Sequence, residues 1–149
     1  MKNLLFLLAL SITVLTIGCA PPTGEPVEYS KACDRGNDKK TIETKGFLDS
    51  GTGLFCSNTS GRMECGFKLK NDLKDEKGFT ADIAISSGAN SMDKVERGYQ
   101  VSDIVVRGND GERIDLSKKV TVTGTLNSFE DKTSPEGGGC FMKVKKIEQ

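Results

Sequence analysis

The residues that bear most on chemistry in this chain are its thiols and carboxylates, because its 149 residues include five cysteines and no histidine. Without an imidazole there is no Ser-His-Asp or Cys-His nucleophile, and no G-x-S-x-G elbow occurs. The cysteines, at positions 19, 33, 56, 65 and 140, form no C-x-x-C pair, so the usual zinc-ligand spacing is absent as well. Asp and Glu are plentiful, but a glycosidase pair is defined by two carboxyl groups facing each other across a cleft, which no local spacing encodes. The expectation is a protein that is not an enzyme, with no catalytic residue, no cofactor and no metal, in which the thiols serve structure and attachment.

Cys19 stands apart from the other four. It closes an apolar run, Leu4 to Ile17, of 14 residues without a charge, preceded by Lys2 and followed by small residues and then prolines. That is the layout of a secretory signal peptide, and it is short of the roughly 20 apolar residues of a transmembrane helix. The end of the run, Leu15-Thr16-Ile17-Gly18-Cys19, resembles the lipobox of bacterial lipoproteins, with Thr16 in place of the more usual Leu as its one departure. The resemblance implies that residues 1–18 are a lipoprotein signal peptide and that Cys19 is the lipidation site, carrying diacylglycerol and acyl chains such as palmitate. It implies a chain anchored in the cell envelope through its N-terminal lipid. Ala20, rather than Asp, after the acylated cysteine is compatible with sorting to the outer membrane of an organism that has one.

With Cys19 assigned to lipid, Cys33, Cys56, Cys65 and Cys140 are an even set in an oxidising compartment, which implies two disulfides. Three pairings are open. A hairpin through Ser57 to Glu64, with its tip near Ser60-Gly61, would set Cys56 opposite Cys65 and leave Cys33 for Cys140. Covalent bracing suits a chain with no Trp, whose largest core candidates are Phe47, Phe55, Phe67, Phe79, Phe129 and Phe141. Among residues 1–18 only Lys2 is charged, so the remaining 131 residues carry 20 basic and 21 acidic side chains. Such a balance disfavours nucleic acid, whose binders carry a basic excess.

The prolines at 21, 22 and 26 mark residues 19–31 as a flexible Pro-rich tether ahead of one domain, residues 32–149. Within that domain Gly, Asn and Asp punctuate stretches of period-two alternation, the pattern of an all-β fold. It is cleanest at Val120-Thr121-Val122-Thr123-Gly124-Thr125-Leu126, and recurs at 41–48, 62–70, 79–86, 103–107 with 112–116, and 140–148. Asn109-Asp110-Gly111 reads as a tight turn rather than a calcium loop. One short helix is expected between Ser91 and Arg97, with Asn90 as N-cap, Asp93 completing the cap and Gly98 as the stop.

Interior glycines in Lys45-Gly46-Phe47-Leu48 and Thr123-Gly124-Thr125-Leu126, a helix before the second and a final strand at 140–144 together resemble a small OB-fold β-barrel of the kind found in envelope proteins. A lipocalin-like barrel and an open β-sandwich are the other all-β arrangements, since the extra hairpin at 103–116 exceeds a minimal OB-fold. The OB resemblance implies that Cys33 approaches Cys140. It also implies a binding face flanked by two glycine-rich loops, which makes Gly51, Gly53, Gly137, Gly138 and Gly139 candidate ligand-binding positions. The expected function is a membrane-anchored interaction module for an envelope protein, peptide or glycan. The alternatives are a structural or stress-related lipoprotein without a small ligand, and an inhibitor of an envelope lytic enzyme. Cys19→Ala is expected to abolish both incorporation of labelled fatty acid and leader removal, read by metabolic labelling and intact mass; a variant still partitioning into detergent would contradict the anchor.

Overall fold

The computed structural model describes residues 22–59, 61–130 and 138–149. The expected leader, the Cys19 lipidation site, the Ser60 half of the hairpin tip and Gly137 lie outside them. Among the described residues nine strands run in chain order: β1 (Glu25–Pro26), β2 (Thr41–Asp49), β3 (Phe55–Thr59), β4 (Arg62–Lys70), β5 (Phe79–Ala84), β6 (Ser91–Met92), β7 (Val106–Arg107), β8 (Val120–Phe129) and β9 (Gly139–Glu148). The fold is all-β with two disulfides. Among the described residues the only helical pieces are three-residue 3-10 turns at Tyr29–Lys31, Arg35–Asn37 and Val101–Asp103.

Strand β2 closes the sheet on itself. Its residues from Thr41 to Gly46 pair antiparallel with β8, and Phe47 to Asp49 pair antiparallel with β4. Strand β8 continues to β9, β9 runs parallel to β5, and β5 returns to β4. The ring β2-β8-β9-β5-β4-β2, with one parallel pair, is the strand order of an OB-fold barrel. The change of partner falls at Gly46, where a Cβ would lie 2.6 Å from the Lys70 carbonyl oxygen and 2.9 Å from Leu69 Cγ. Only glycine lets the two strands come that close. Gly124 plays the same part in β8, beside the register shift between Thr123 and Gly124, where a Cβ would lie 2.6 Å from Met142 Cγ.

Alternation then sorts the side chains. Ile42 and Leu48 of β2, Phe67 and Leu69 of β4, Phe79, Ala81 and Ile83 of β5, Val120, Val122 and Leu126 of β8, and Met142 and Ile147 of β9 fill the interior. Met92, Ile104, Val106 and Ile114, from the connection between β5 and β8, complete it. Phe67 and Phe79 are thus core residues as expected, whereas Phe55 and Phe129 are exposed, which corrects the expectation that they are buried.

The helix expected over Ser91–Arg97 is absent. Asn90 takes a left-handed φ of 56°, and its Oδ1 accepts a hydrogen bond from Ile147 N–H at 2.8 Å instead of capping a helix. Ser91 and Met92 extend as β6 against Arg107 and Val106 of β7. Asp93 accepts two hydrogen bonds from the Arg107 guanidinium, at 2.7 Å each. Two turns of helix are marginal alone, and the extended path buries Met92 completely while giving Asp93 a bidentate partner. The turn at Asn109-Asp110-Gly111 forms as expected, with Gly111 at φ 81° and its N–H bonded to the Gly108 carbonyl.

The expected tether is also shorter than residues 19–31. Strand β1 pairs in parallel with β2, Glu25 opposite Ile42 and Pro26 opposite Glu43. Tyr29 stacks on Phe79 with ring centroids 5.6 Å apart, and its hydroxyl donates to the Leu69 carbonyl at 2.8 Å. Two apolar side chains in a polar, proline-bearing stretch, Val27 and Tyr29, suffice to dock it on the core. The domain therefore begins before residue 32.

Both disulfides join the expected partners, Cys33 to Cys140 with Cα atoms 5.5 Å apart and Cys56 to Cys65 at 4.0 Å, the latter directly opposite in the β3–β4 register. The first spans 107 residues and the second 9. Loop-closure entropy then ranks them: replacing Cys33 and Cys140 by Ala is expected to cost about 5 kcal/mol, and replacing Cys56 and Cys65 about 3 kcal/mol. Urea unfolding of the two double variants checks the order, and a larger loss from the short bridge would contradict it.

Candidate functional site

Strands that send Phe67, Phe79 and Met142 inward must send their neighbours outward. On the outer wall β4 presents Glu64, Gly66 and Lys68, β5 presents Thr80 and Asp82, and β9 presents Phe141 and Lys143. Register brings them together, with Gly66 opposite Asp82, Asp82 opposite Lys143, and Thr80 opposite Phe141. The connection between β2 and β3 rises on one side with Phe55, and the end of β8 rises on the other with Phe129. These residues enclose a groove of about 660 Å³, within the range of small-ligand sites.

The aromatic walls are held in place while facing water. Phe55 is 82% exposed and Phe129 50% exposed. Phe129 pairs with Gly139, and a Cβ on that glycine would lie 2.7 Å from Phe129 Cζ, so the ring rests on bare backbone. The opposite wall is pinned by Tyr99, whose hydroxyl accepts the Leu54 N–H at 2.8 Å. Next to it, Gly51 at φ 59° donates its N–H to Asp49 Oδ1 at 2.8 Å.

Two ion pairs fix most of the charge. Lys70 Nζ lies 2.5 Å from Asp49 Oδ2, and the lysine side chain is only 12% exposed. The hydrogen bond from Lys70, with a second from Gly51 N–H, holds the Asp49 carboxyl below the usual carboxylate range. Lys143 Nζ lies 3.4 Å from Glu64 Oε2, whose side chain is 15% exposed. Asp82 makes no ion pair among the described residues, and Lys143, opposite it, is shared with Glu64. Burial pushes its carboxyl above the usual range, the Glu64 charge pushes it further, and Lys143 offsets this in part. Glu64 and Asp82 stand on neighbouring strands of the same wall, so they do not flank the groove as a glycosidase pair flanks a bond. Among the described residues no cluster of three or more Cys, Asp or Glu side chains is arranged to hold a metal ion.

Of the glycines singled out by sequence, Gly51 and Gly53 line this groove, while Gly138 and Gly139 line an adjoining hollow on the far side of Phe129. The sequence does not mark the groove's charged floor, and it reads Phe55 and Phe129, the aromatic rim, as core candidates. Alternation assigns Glu64, Gly66 and Asp82 to the outer face and the expected hairpin sets β3 beside β4, but neither tells that the end of β8 rises on the other side.

No family model, no curated protein and no solved structure matches this chain.

Asp82 makes the pH dependence of stability testable. A raised folded pKa means that the folded chain holds more protons than the unfolded one between the ordinary carboxylate range and the raised value, so stability falls as pH climbs through that window. Asp49 acts in the opposite sense, its contribution present above the ordinary range and lost in stronger acid. Asp82→Asn is expected to raise the thermal midpoint at pH 7, with the gain vanishing near about pH 3, where Asp82 is neutral in both states. Melting curves across that range check it.

Proposed function

We propose that this protein is a binding module of the bacterial envelope, anchored to a membrane through acyl chains on Cys19 and engaging a protein, peptide or glycan in the groove beside Phe55 and Phe129. The observation that carries the reading is the exposure of those two rings. An apolar ring left in water gains nothing for folding, and here two of them border one concave surface with fixed charges at its base. Phe141 and Lys143 lie on that surface between them, and Gly51, Gly53 and the Gly139 seat of Phe129 shape its edges. The base also speaks against nucleic acid, because Glu64 and Asp82 would face the phosphates of any strand laid along it.

The lipid anchor is supported by the lipobox-like Leu15 to Cys19 and by the accounting of thiols, since the other four cysteines are consumed in two bridges. An inhibitor of a lytic enzyme is one form of the protein-partner reading. A purely structural lipoprotein would have no use for the exposed rings.

The test is a panel of peptides and envelope glycans screened by calorimetry against the chain and against the Phe55→Ala, Phe129→Ala double variant. The double variant is expected to bind at least about tenfold more weakly, as loss of aromatic anchors does, with an unchanged circular-dichroism melt. A ligand indifferent to both rings, or none in either class, would defeat the groove reading.

A further inference from the structure

The charges at the base of the groove do not cancel locally. Asp49 is matched by Lys70 and Glu64 by Lys143. That leaves Asp82, half-buried, with no hydrogen-bond donor among the described residues reaching it, and Lys68 exposed at the rim, two register pairs away opposite Thr80. Asp82 stands over Gly66, where a Cβ would come 3.5 Å from its Oδ1 and 3.0 Å from Thr80 Cγ2. The absent side chain is what leaves depth beside the carboxylate. Phe129 and Phe141 are diagonal neighbours across β8 and β9, both on this face. Two rings beside a carboxylate that shares its nearest cation, Lys143, with Glu64 suit one kind of group, a cation on a flexible apolar stem. Such a group gains from ring faces and carboxylate together.

We infer that the groove receives the side chain of a lysine or arginine presented by an extended peptide, its stem against Phe129 and Phe141 and its charged head at Asp82. This rests on the groove being the binding site. The choice of a peptide over a free amine follows from size, because about 660 Å³ exceeds a single such side chain several times over. The rest of the lining, Thr80 and Lys68 along the strands and Phe55 across from Gly66, leaves room for flanking residues of the peptide. An anionic ligand would meet Asp82 and find Lys143 already engaged by Glu64.

The experiment titrates the full-length chain, in detergent, with the capped pentapeptide Ala-Leu-Lys-Leu-Ala, its norleucine counterpart, which keeps the stem and removes the charge, and capped lysine amide alone. The lysine peptide is expected to bind at least about tenfold more tightly than the norleucine peptide, and Asp82→Asn to erase that difference while leaving norleucine binding unchanged. Amide-shift mapping by NMR is expected to centre on Gly66, Asp82 and Phe141. Equal binding of the two peptides overturns the inference, as does lysine amide binding as tightly as the pentapeptide, which would identify a free amine as the ligand. A single-stranded oligonucleotide bound more tightly by Asp82→Asn than by the parent overturns it as well. Failure of the groove itself reads differently. If the peptides bind equally and Phe129→Ala weakens both, the groove stands and only the cation is lost; if a ligand is found that ignores Phe55 and Phe129, the groove falls with it.

Discussion

The structure depends on one strand serving two neighbours. Strand β2 gives its first six residues to β8 and its last three to β4, and this division turns an open sheet into a closed ring. Closure gives each of the five barrel strands a hydrogen-bonded partner on both sides and an interior shared by all of them. It is made possible by the absence of a side chain at Gly46, against the Lys70 carbonyl and the Leu69 side chain. Everything on the outside follows from it. Once the inward positions of β4, β5 and β9 are committed to the core, the positions between them have to form a surface, and that surface is the base of the groove.

What stands on the surface is costly to keep there. Asp82 is partly desolvated beside another carboxylate, and two phenylalanines face water. A barrel this small can sustain such side chains because its stability has other sources, a continuous core and two covalent ties that restrict the unfolded chain. The ties also bear on local geometry. Cys140 follows Gly139, the glycine beneath Phe129, and Cys65 lies between Glu64 and Gly66 in the groove floor, so each bridge is rooted next to a residue that shapes the concave face.

The alternation of Val120 to Leu126 and the strand at 62–70 were legible because a half-buried sheet enforces period two, and the short bridge was legible because a two-strand hairpin sets its ends opposite each other. Asn90 shows where local reading stops. Asn, Asp and Gly around 90–98 carry the same signals for a capped helix and for an extended corner, and only the distant Arg107 and Ile147 choose between them. Phe55 and Phe129 illustrate a second limit. Their size argues for burial, whereas each lies opposite a glycine, Phe55 across from Gly66 and Phe129 across from Gly139, and stays exposed. The tether is the third case, since three prolines suggested free chain and two apolar contacts from Val27 and Tyr29 were enough to fasten it.

The docking of Glu25 and Pro26 along β2 bears on where the barrel stands relative to a bilayer. For a chain acylated at Cys19, only Ala20 to Thr23 separate the lipid from Gly24, whose own backbone is packed against Ile42. Four residues reach at most roughly 14 Å when fully extended. The barrel would ride against the headgroups on a short leash, sweeping a small area rather than exploring the surrounding space. Its counterpart would then have to come to the membrane surface, or already reside there.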